Sequence, residues 1–237
     1  MKNLGSVGRE EIIQSQIEFF GDLFKKYGDT PKGVSSESLK HKQLRYSMLA
    51  NPIFKDSNTR VSIHDYGMGV GTFFEFLRNN FAQDSFNYSG SDIIEEYIKF
   101  ARLKFPRIDI HLGDIFASSF NDNYDWIVLS GVFHQKRDID DLSWFNYFSE
   151  TIVKAFEIAQ KGIAFNVVTP YVDWTLPNIY YADLKQVMDL ISTRMTRFFT
   201  LQHAYPLYEC TFHVFKDSLI EREFNQPEFE KYFKEPL

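Results

Sequence analysis

The chain has 237 residues, 44% of them hydrophobic, which is enough for one domain or slightly more with a core of its own. A formal net charge of -6 and a pI near 5.5 exclude a broad polyanion-binding face, so nucleic acid is not an expected partner. A single cysteine, Cys210, rules out an internal disulfide or a cysteine zinc cluster, and no apolar run approaches the roughly 18 to 20 residues of a membrane helix, so a cytoplasmic chain with no membrane partner is expected.

Residues 9 to 27 place Ile13, Ile17, Phe20, Phe24 and Tyr27 at helical spacing, which predicts an amphipathic helix lying on the body of the protein. After a loop with Pro31 and Gly33, Ser35 and Ser36 supply N-cap chemistry for a second helix reaching about Ala50 and ended by Asn51-Pro52. From Val61 the pattern alternates between strands and helices, the signature of a parallel sheet with helices on its faces. A strand begins at Val61, a helix follows from Thr72 to about Phe81, and a second strand from Phe86 to Ser91 leads to Asp92 and a helix through Lys104. Ile108 to Leu112 and Tyr124 to Leu129 read as the third and fourth strands. A helix from about Asp141 to Gln160 carries Phe145, Phe148, Ile152, Phe156 and Ala159 on its apolar face, and Gly162 to Val168 is apolar enough for a buried fifth strand. Beyond a long loop, Thr169 to Tyr181, one more helix precedes two strands, Phe198 to His203 and Tyr208 to Lys216, expected as an antiparallel hairpin at the sheet edge. The charged residues 218–237, with Pro227 and Pro236, read as a surface tail.

The chemistry is concentrated in Val61-Ser-Ile-His-Asp-Tyr-Gly-Met-Gly-Val-Gly-Thr72. A β-branched run breaks into glycines at 67, 69 and 71 and then opens a helix, so a ligand can come against the main chain and meet unpaired N–H groups. Asp65, Asp92 and Asp114 each fall at the carboxyl end of a successive strand, about one strand–helix unit apart, and should line one edge of the sheet. Asp92 and Asp114 also suit helix N-caps, but the three acids come as a set. The dinucleotide fingerprint fails because position 72 is Thr where its last glycine belongs, and no kinase-type phosphate loop is present. Three acids favour a cationic ligand, with an ammonium near Asp65, a ribose diol at Asp92 and an adenine amino group at Asp114.

Asp65-Tyr-Gly-Met-Gly-Val-Gly71, Ser91-Asp92-Ile93 and Gly113-Asp114-Ile115 make residues 61 to 216 resemble a class I S-adenosylmethionine-dependent methyltransferase. The resemblance implies an α/β three-layer sandwich, with a mostly parallel seven-stranded Rossmann-like sheet whose last strand is antiparallel. It also implies an N-terminal helical lid over residues 1–55 and a cofactor-binding domain over 56–217. Carried over, Gly67, Gly69 and Gly71 cradle the amino-acid part of S-adenosylmethionine, Asp65 holds its amino group, Asp92 with Ile93 binds the ribose, and Asp114 with Ile115 recognises adenine. Ser130, Tyr27 and Arg45 are further cofactor contacts, Arg45 through a bidentate pair with the cofactor carboxylate; the competing reading for Arg45 is a surface ion pair.

His134, in Ser130-Gly-Val-Phe-His134, is the candidate general base, although methyl transfer from a sulfonium needs mainly in-line approach in a dry pocket. Asn166, Tyr180 and Tyr181 are candidates for the substrate wall, and no metal is expected. The motif that marks amino-methyltransferases acting on DNA is absent after the fourth strand, which further disfavours a nucleobase. The segments 164–170 and 178–183 are similar to a bacterial subset associated with surface-carbohydrate and small-molecule tailoring. The expected reaction moves a methyl group to an oxygen or nitrogen of a small polar acceptor and leaves S-adenosylhomocysteine. A non-catalytic binding module and a nucleotide-cofactor oxidoreductase are the competing classes. The oligomeric state is not written in the sequence.

Overall fold

β-branched and aromatic runs separated by amphipathic segments can bury both faces of a sheet only by laying helices on each side, and that is the arrangement adopted. The computed structural model describes residues 7–30, 32–34, 38–55, 60–117 and 124–233. The strands are β1 (Val61–Tyr66), β2 (Phe86–Asp92), β3 (Asp109–Leu112), β4 (Tyr124–Leu129), β5 (Ala159–Val168), β6 (Phe199–Gln202) and β7 (Glu209–Phe215). They form one sheet in the order β3-β2-β1-β4-β5-β7-β6. All pairings from β3 to β5 are parallel, and β7 runs antiparallel to both of its neighbours. The three-layer architecture and the mostly parallel seven-stranded sheet expected from the resemblance are present.

The helices are α1 (Arg9–Tyr27), α2 (Leu39–Ala50), α3 (Thr72–Asn80), α4 (Glu95–Lys104), α5 (Asp141–Ile158), α6 (Leu184–Arg194) and α7 (Asp217–Glu223). One core joins α5 and α6 to a sheet face through Trp144, Phe148, Ile152, Val187, Phe165 and Phe212. The other joins α2, α3 and α4 to the opposite face through Leu49, Phe73, Leu77, Ile98, Ile63 and Val128. β7 serves both: Cys210, Phe212 and Val214 enter the first core, while His213 between them reaches across and donates to the Leu49 carbonyl at 3.0 Å. His64 in β1 is a satisfied core histidine, with its ring nitrogens 2.9 Å from the hydroxyls of Ser89 and Ser91 in β2, and burial pushes its pKa down to about 3.

Four details depart from the sequence reading. The N-cap of α2 is Ser38, whose hydroxyl accepts from the His41 N–H; Ser35 and Ser36 lie outside the described residues. β5 begins at Ala159, where the polar pair Gln160-Lys161 concealed its start. The last two strands pair as a hairpin, but β7 lies inside the sheet against β5 and only β6 is at the edge. The C-terminal segment contains α7 and a 3-10 helix over Pro227–Tyr232.

Candidate functional site

β2 lies to one side of β1 and β4 to the other, so the strand order reverses at β1, and a crevice opens beyond the carboxyl ends of these strands. A cavity of about 870 Å³ fills it. Its floor is the glycine loop and the segment after β4, and its roof is α1 and α2, through Gln16, Phe20, Lys42, Arg45 and Tyr46.

The loop is pinned beneath. The N–H groups of Gly67 and Met68 donate to the Ser91 carbonyl at 2.8 and 2.9 Å. Gly69 has φ +55, and a Cβ there would meet nothing within 4 Å, so its open face is cavity. Gly71, at φ +83, caps α3; a Cβ on it would lie 2.5 Å from the Phe105 ring, which fixes glycine there. Asp92 ties the loop to the end of β2: one carboxylate oxygen accepts from the Gly69 N–H at 2.8 Å and the other from the Ile94 N–H at 2.9 Å. Burial raises its pKa to about 6 against the lowering effect of these N–H groups. Asp92 and Ile93 both line the cavity.

Asp65 lies deeper, 1% exposed. Tyr88 donates to its Oδ2 at 2.6 Å, while its buried Oδ1 has no hydrogen-bond partner among the described residues. Burial first, and the charge of Asp92 in addition, raise its pKa to about 7 although the Tyr88 hydroxyl opposes the shift. The Ser130 hydroxyl at the cavity wall is likewise buried without a partner. Buried polar atoms in native proteins are nearly always paired, so the orphaned Gln16 Nε2 and Ser130 hydroxyl on the cavity lining, with Asp65 Oδ1 close by, are the mark of a ligand site. An open glycine face, a carboxylate oxygen awaiting a donor and a second carboxylate at the rim fit the cationic adenosyl ligand expected from the sequence.

Asp114 and Ile115 are held elsewhere. Arg9 of α1 donates to both oxygens of Asp114 at 2.8 and 3.0 Å, and the Tyr66 hydroxyl adds a third bond at 2.5 Å. The Arg9 guanidinium lies 4.2 Å from the centre of the Phe116 ring and 4.8 Å from that of Tyr147. Ile115 is buried in the core with Tyr66 and Phe133. Neither lines the cavity, so the adenine contact expected of them is replaced in this arrangement by an ion pair that fastens α1 to the end of β3.

Arg45 lines the cavity, but its guanidinium is committed to Glu209, with Nε 2.8 Å from Oε2 and Nη2 in contact with Oε1. The bidentate pair expected with a ligand carboxylate is thus made internally. Lys42, one turn earlier on α2, also faces the cavity and has no ion-pair partner among the described residues; burial lowers its pKa, and the nearby Arg45 charge adds to this. Tyr27 lies outside the large cavity, at a second depression on α1 with Lys26, Phe19 and Arg137.

His134 lines the cavity on the segment after β4. Asn166 of β5 is fully buried behind it, 3.0 Å from His134 Nε2, and donates to Glu209 at 2.6 Å. Its carbonyl oxygen accepts from the Gly131 N–H at 2.8 Å. Of the two tyrosines, Tyr181 lines the cavity and accepts from the Leu176 N–H, whereas Tyr180 points the other way into the core, as alternate residues of an extended segment must. Val172, Trp174, Leu176 and Tyr208 complete an apolar outer wall. No group of three metal-type side chains occurs among the described residues.

Sequence reasoning missed Glu209, Lys42 and Trp174. Glu209 did leave a signal, as a lone acid at the head of a strand whose alternate residues Cys210, Phe212 and Val214 are apolar, since a charge buried in such a strand must be paired.

Residues 64–143 match the family profile described as a methyltransferase domain. A protein of Mycobacterium tuberculosis provisionally named a methyltransferase is 31% identical over 160 residues, which span 66% of this chain and 94% of that protein. In fold, the chain is similar to magnesium protoporphyrin IX methyltransferase from Synechocystis PCC 6803, solved with bound S-adenosylhomocysteine (TM-score 0.62, 14% identity, 86% of this chain and 99% of that one). It is also similar to human N-acetylserotonin methyltransferase in complex with S-adenosylmethionine (TM-score 0.58, 16% identity, 89% of this chain and 60% of that one). With a match along nearly the full length of the mycobacterial relative, on a fold shared with these enzymes, the chain belongs to the class I S-adenosylmethionine-dependent methyltransferases.

Proposed function

We propose that this enzyme methylates an oxygen or nitrogen of a small polar molecule, and that the cavity between the glycine loop and α2 holds both cofactor and acceptor. The observation that carries this reading is the open face of Gly69 on the cavity wall, with the orphaned Oδ1 of Asp65 buried at the end of β1 just before the same loop. S-adenosylmethionine, when bound, supplies a methyl group on a sulfonium centre and leaves as S-adenosylhomocysteine. The backbone of Gly67, Gly69 and Gly71 supports its amino-acid part, and Asp65 Oδ1 faces its ammonium. Asp92, at the rim beside Ile93, accepts from the ribose hydroxyls, and Ser130 offers its unpaired hydroxyl. Lys42 is the cation available to the ligand carboxylate, the role that Arg45 is not free to play.

His134, Glu209 and Tyr181 lie on the acceptor side, with Asn166 behind them, and the apolar wall of Trp174, Leu176 and Tyr208 excludes water and aligns the nucleophile. Helices α1 and α2 act as the lid over a ligand domain built on β1 to β7. A sugar, phosphorylated or nucleotide-linked metabolite suits this combination of polar floor and aromatic wall. The single buried Cys210 supports a reducing, cytoplasmic setting.

Calorimetric titration separates the alternatives. S-adenosylhomocysteine should bind and NAD should not; binding of NAD alone would favour an oxidoreductase, and binding of neither would overturn the proposal. Transfer of labelled methyl from S-adenosylmethionine to a panel of phosphorylated sugars, nucleotide conjugates and small amines then tests catalysis against mere binding. Asp92→Ala should weaken S-adenosylhomocysteine by about 1 to 3 kcal/mol, the scale of a hydrogen bond to a charged group; an unchanged affinity would count against the ribose role.

A further inference from the structure

The methyl-transfer reading leaves open which group takes the acceptor's proton, and the hydrogen bonds around Asn166 decide it. Its amide can point only one way. The Gly131 N–H at 2.8 Å requires the carbonyl oxygen of Asn166, and the Glu209 carboxylate at 2.6 Å requires its NH₂ group. Flipping the amide would set donor against donor at Gly131 and oxygen against oxygen at Glu209. Asn166 therefore donates its second hydrogen to His134 Nε2 at 3.0 Å, and that nitrogen must present a lone pair. A neutral imidazole with Nε2 unprotonated carries its hydrogen on Nδ1, and an imidazolium would aim Nε2–H at an NH₂ group. His134 is locked as a donor through Nδ1–H and has no lone pair to offer the cavity. The general-base role that the sequence suggested for it does not fit this geometry.

Nδ1 of His134 lies 4.0 Å from Glu209 Oε1, a gap that a hydroxyl or amine spans by accepting from the first and donating to the second. Glu209 lines the cavity and is 7% exposed. Arg45 and Asn166 hold it from two sides and favour its ionised form, against the rise in pKa that burial alone would bring.

We infer that Glu209, and not His134, is the proton acceptor of the reaction, with His134 donating a positioning hydrogen bond to the same acceptor atom. This rests on the methyl-transfer reading. As the bond from the acceptor oxygen or nitrogen to the methyl carbon forms, the carbon–sulfur bond breaks and its electron pair stays on sulfur. With an oxygen acceptor its O–H bond breaks, and the proton passes to Oε1 of Glu209, which later returns it to water. For an oxygen acceptor a carboxylate suffices, because an oxygen being alkylated becomes far more acidic than a carboxylic acid. Asn166 and Arg45 are positioning residues: the first sets the tautomer, the second the carboxylate.

Nitrogen NMR of the unaltered protein with labelled histidine tests this without any acceptor. At neutral pH the resonances lost in His134→Gln should be those of a neutral ring protonated at Nδ1, and in Asn166→Leu the same ring should become a mixture of tautomers. A ring protonated at Nε2, or an imidazolium, in the unaltered protein would overturn the inference even if S-adenosylhomocysteine binds and the methyl-transfer reading stands. On the first acceptor that the panel yields, Glu209→Gln should lower kcat at least 100-fold with S-adenosylhomocysteine affinity kept within threefold; a kcat within threefold of the unaltered enzyme would equally overturn it. Because the tautomer is read on the natural chain, a variant that fails to fold does not remove the test.

Discussion

Raising the pH from 6 to 8 should tighten S-adenosylhomocysteine about tenfold through Asp65. Burial first, then the charge of Asp92, raise the pKa of Asp65 to about 7, and only its ionised form pairs with an ammonium. With that pKa about a tenth of the molecules carry the ionised form at pH 6 and about nine tenths at pH 8, a difference near 1.4 kcal/mol in binding. A bound ammonium pulls the pKa down again, so binding below pH 7 releases close to one proton, which calorimetry in two buffers of different ionisation heat measures. Asp65→Asn should remove both the slope and the release. An affinity that stays flat across this range, with no proton released, would refute a facing ammonium. The same shift has a sign in stability. The folded pKa values of Asp65 and Asp92, about 7 and about 6, lie above the ordinary 3.8. The native state therefore binds these protons more tightly than the unfolded chain does. Their contribution is full below about pH 4 and is lost as the pH rises through 6 and 7, so the ligand-free protein should lose more stability over that range than Asp65→Asn does in parallel urea titrations.

Gly69→Ala should cost about 1 to 2 kcal/mol, because a side chain at φ +55 is strained, and should also place a methyl group where the ligand lies. A lowered melting temperature with more than a tenfold loss of S-adenosylhomocysteine affinity is expected, and full affinity would argue against main-chain contact. Arg9→Met removes a bidentate ion pair that is 17% exposed at Arg9 and 18% at Asp114, and leaves that carboxylate without its cation. A loss of about 1 to 3 kcal/mol in urea unfolding is expected, and an unchanged midpoint would mean that Arg9 does not fasten α1.

The parallel core of the fold was legible because it is written locally. β1 alternates Val61 and Ile63 with polar residues, β4 is apolar but for Asp125, and α5 repeats its large side chains at helical spacing, so each announces itself without its neighbours. The glycine loop was legible for the same reason, with three glycines, a preceding acid and a helix start all falling within one stretch of chain. What the sequence could not disclose is pairing across long separations. Glu209 and Arg45 meet only because β7 inserts beside β5 under α2, and Asp114 is drawn away from the cavity by Arg9, a residue from the far end of the chain. The choice between Tyr180 and Tyr181 turned on the phase of one extended segment, which nothing in its composition sets. Alternation along β7 put Glu209 at its mouth, and only the three-dimensional neighbourhood says what a charge does there.

A crystal structure of the enzyme with S-adenosylhomocysteine tests the central claim most directly. The product should lie in the cavity between β1 and β4, with its amino group within hydrogen-bonding distance of Asp65 directly or through one water, its main chain against Gly69 and its ribose at Asp92. Density elsewhere, or a ligand that leaves Asp65 Oδ1 and Gly69 untouched, would contradict it.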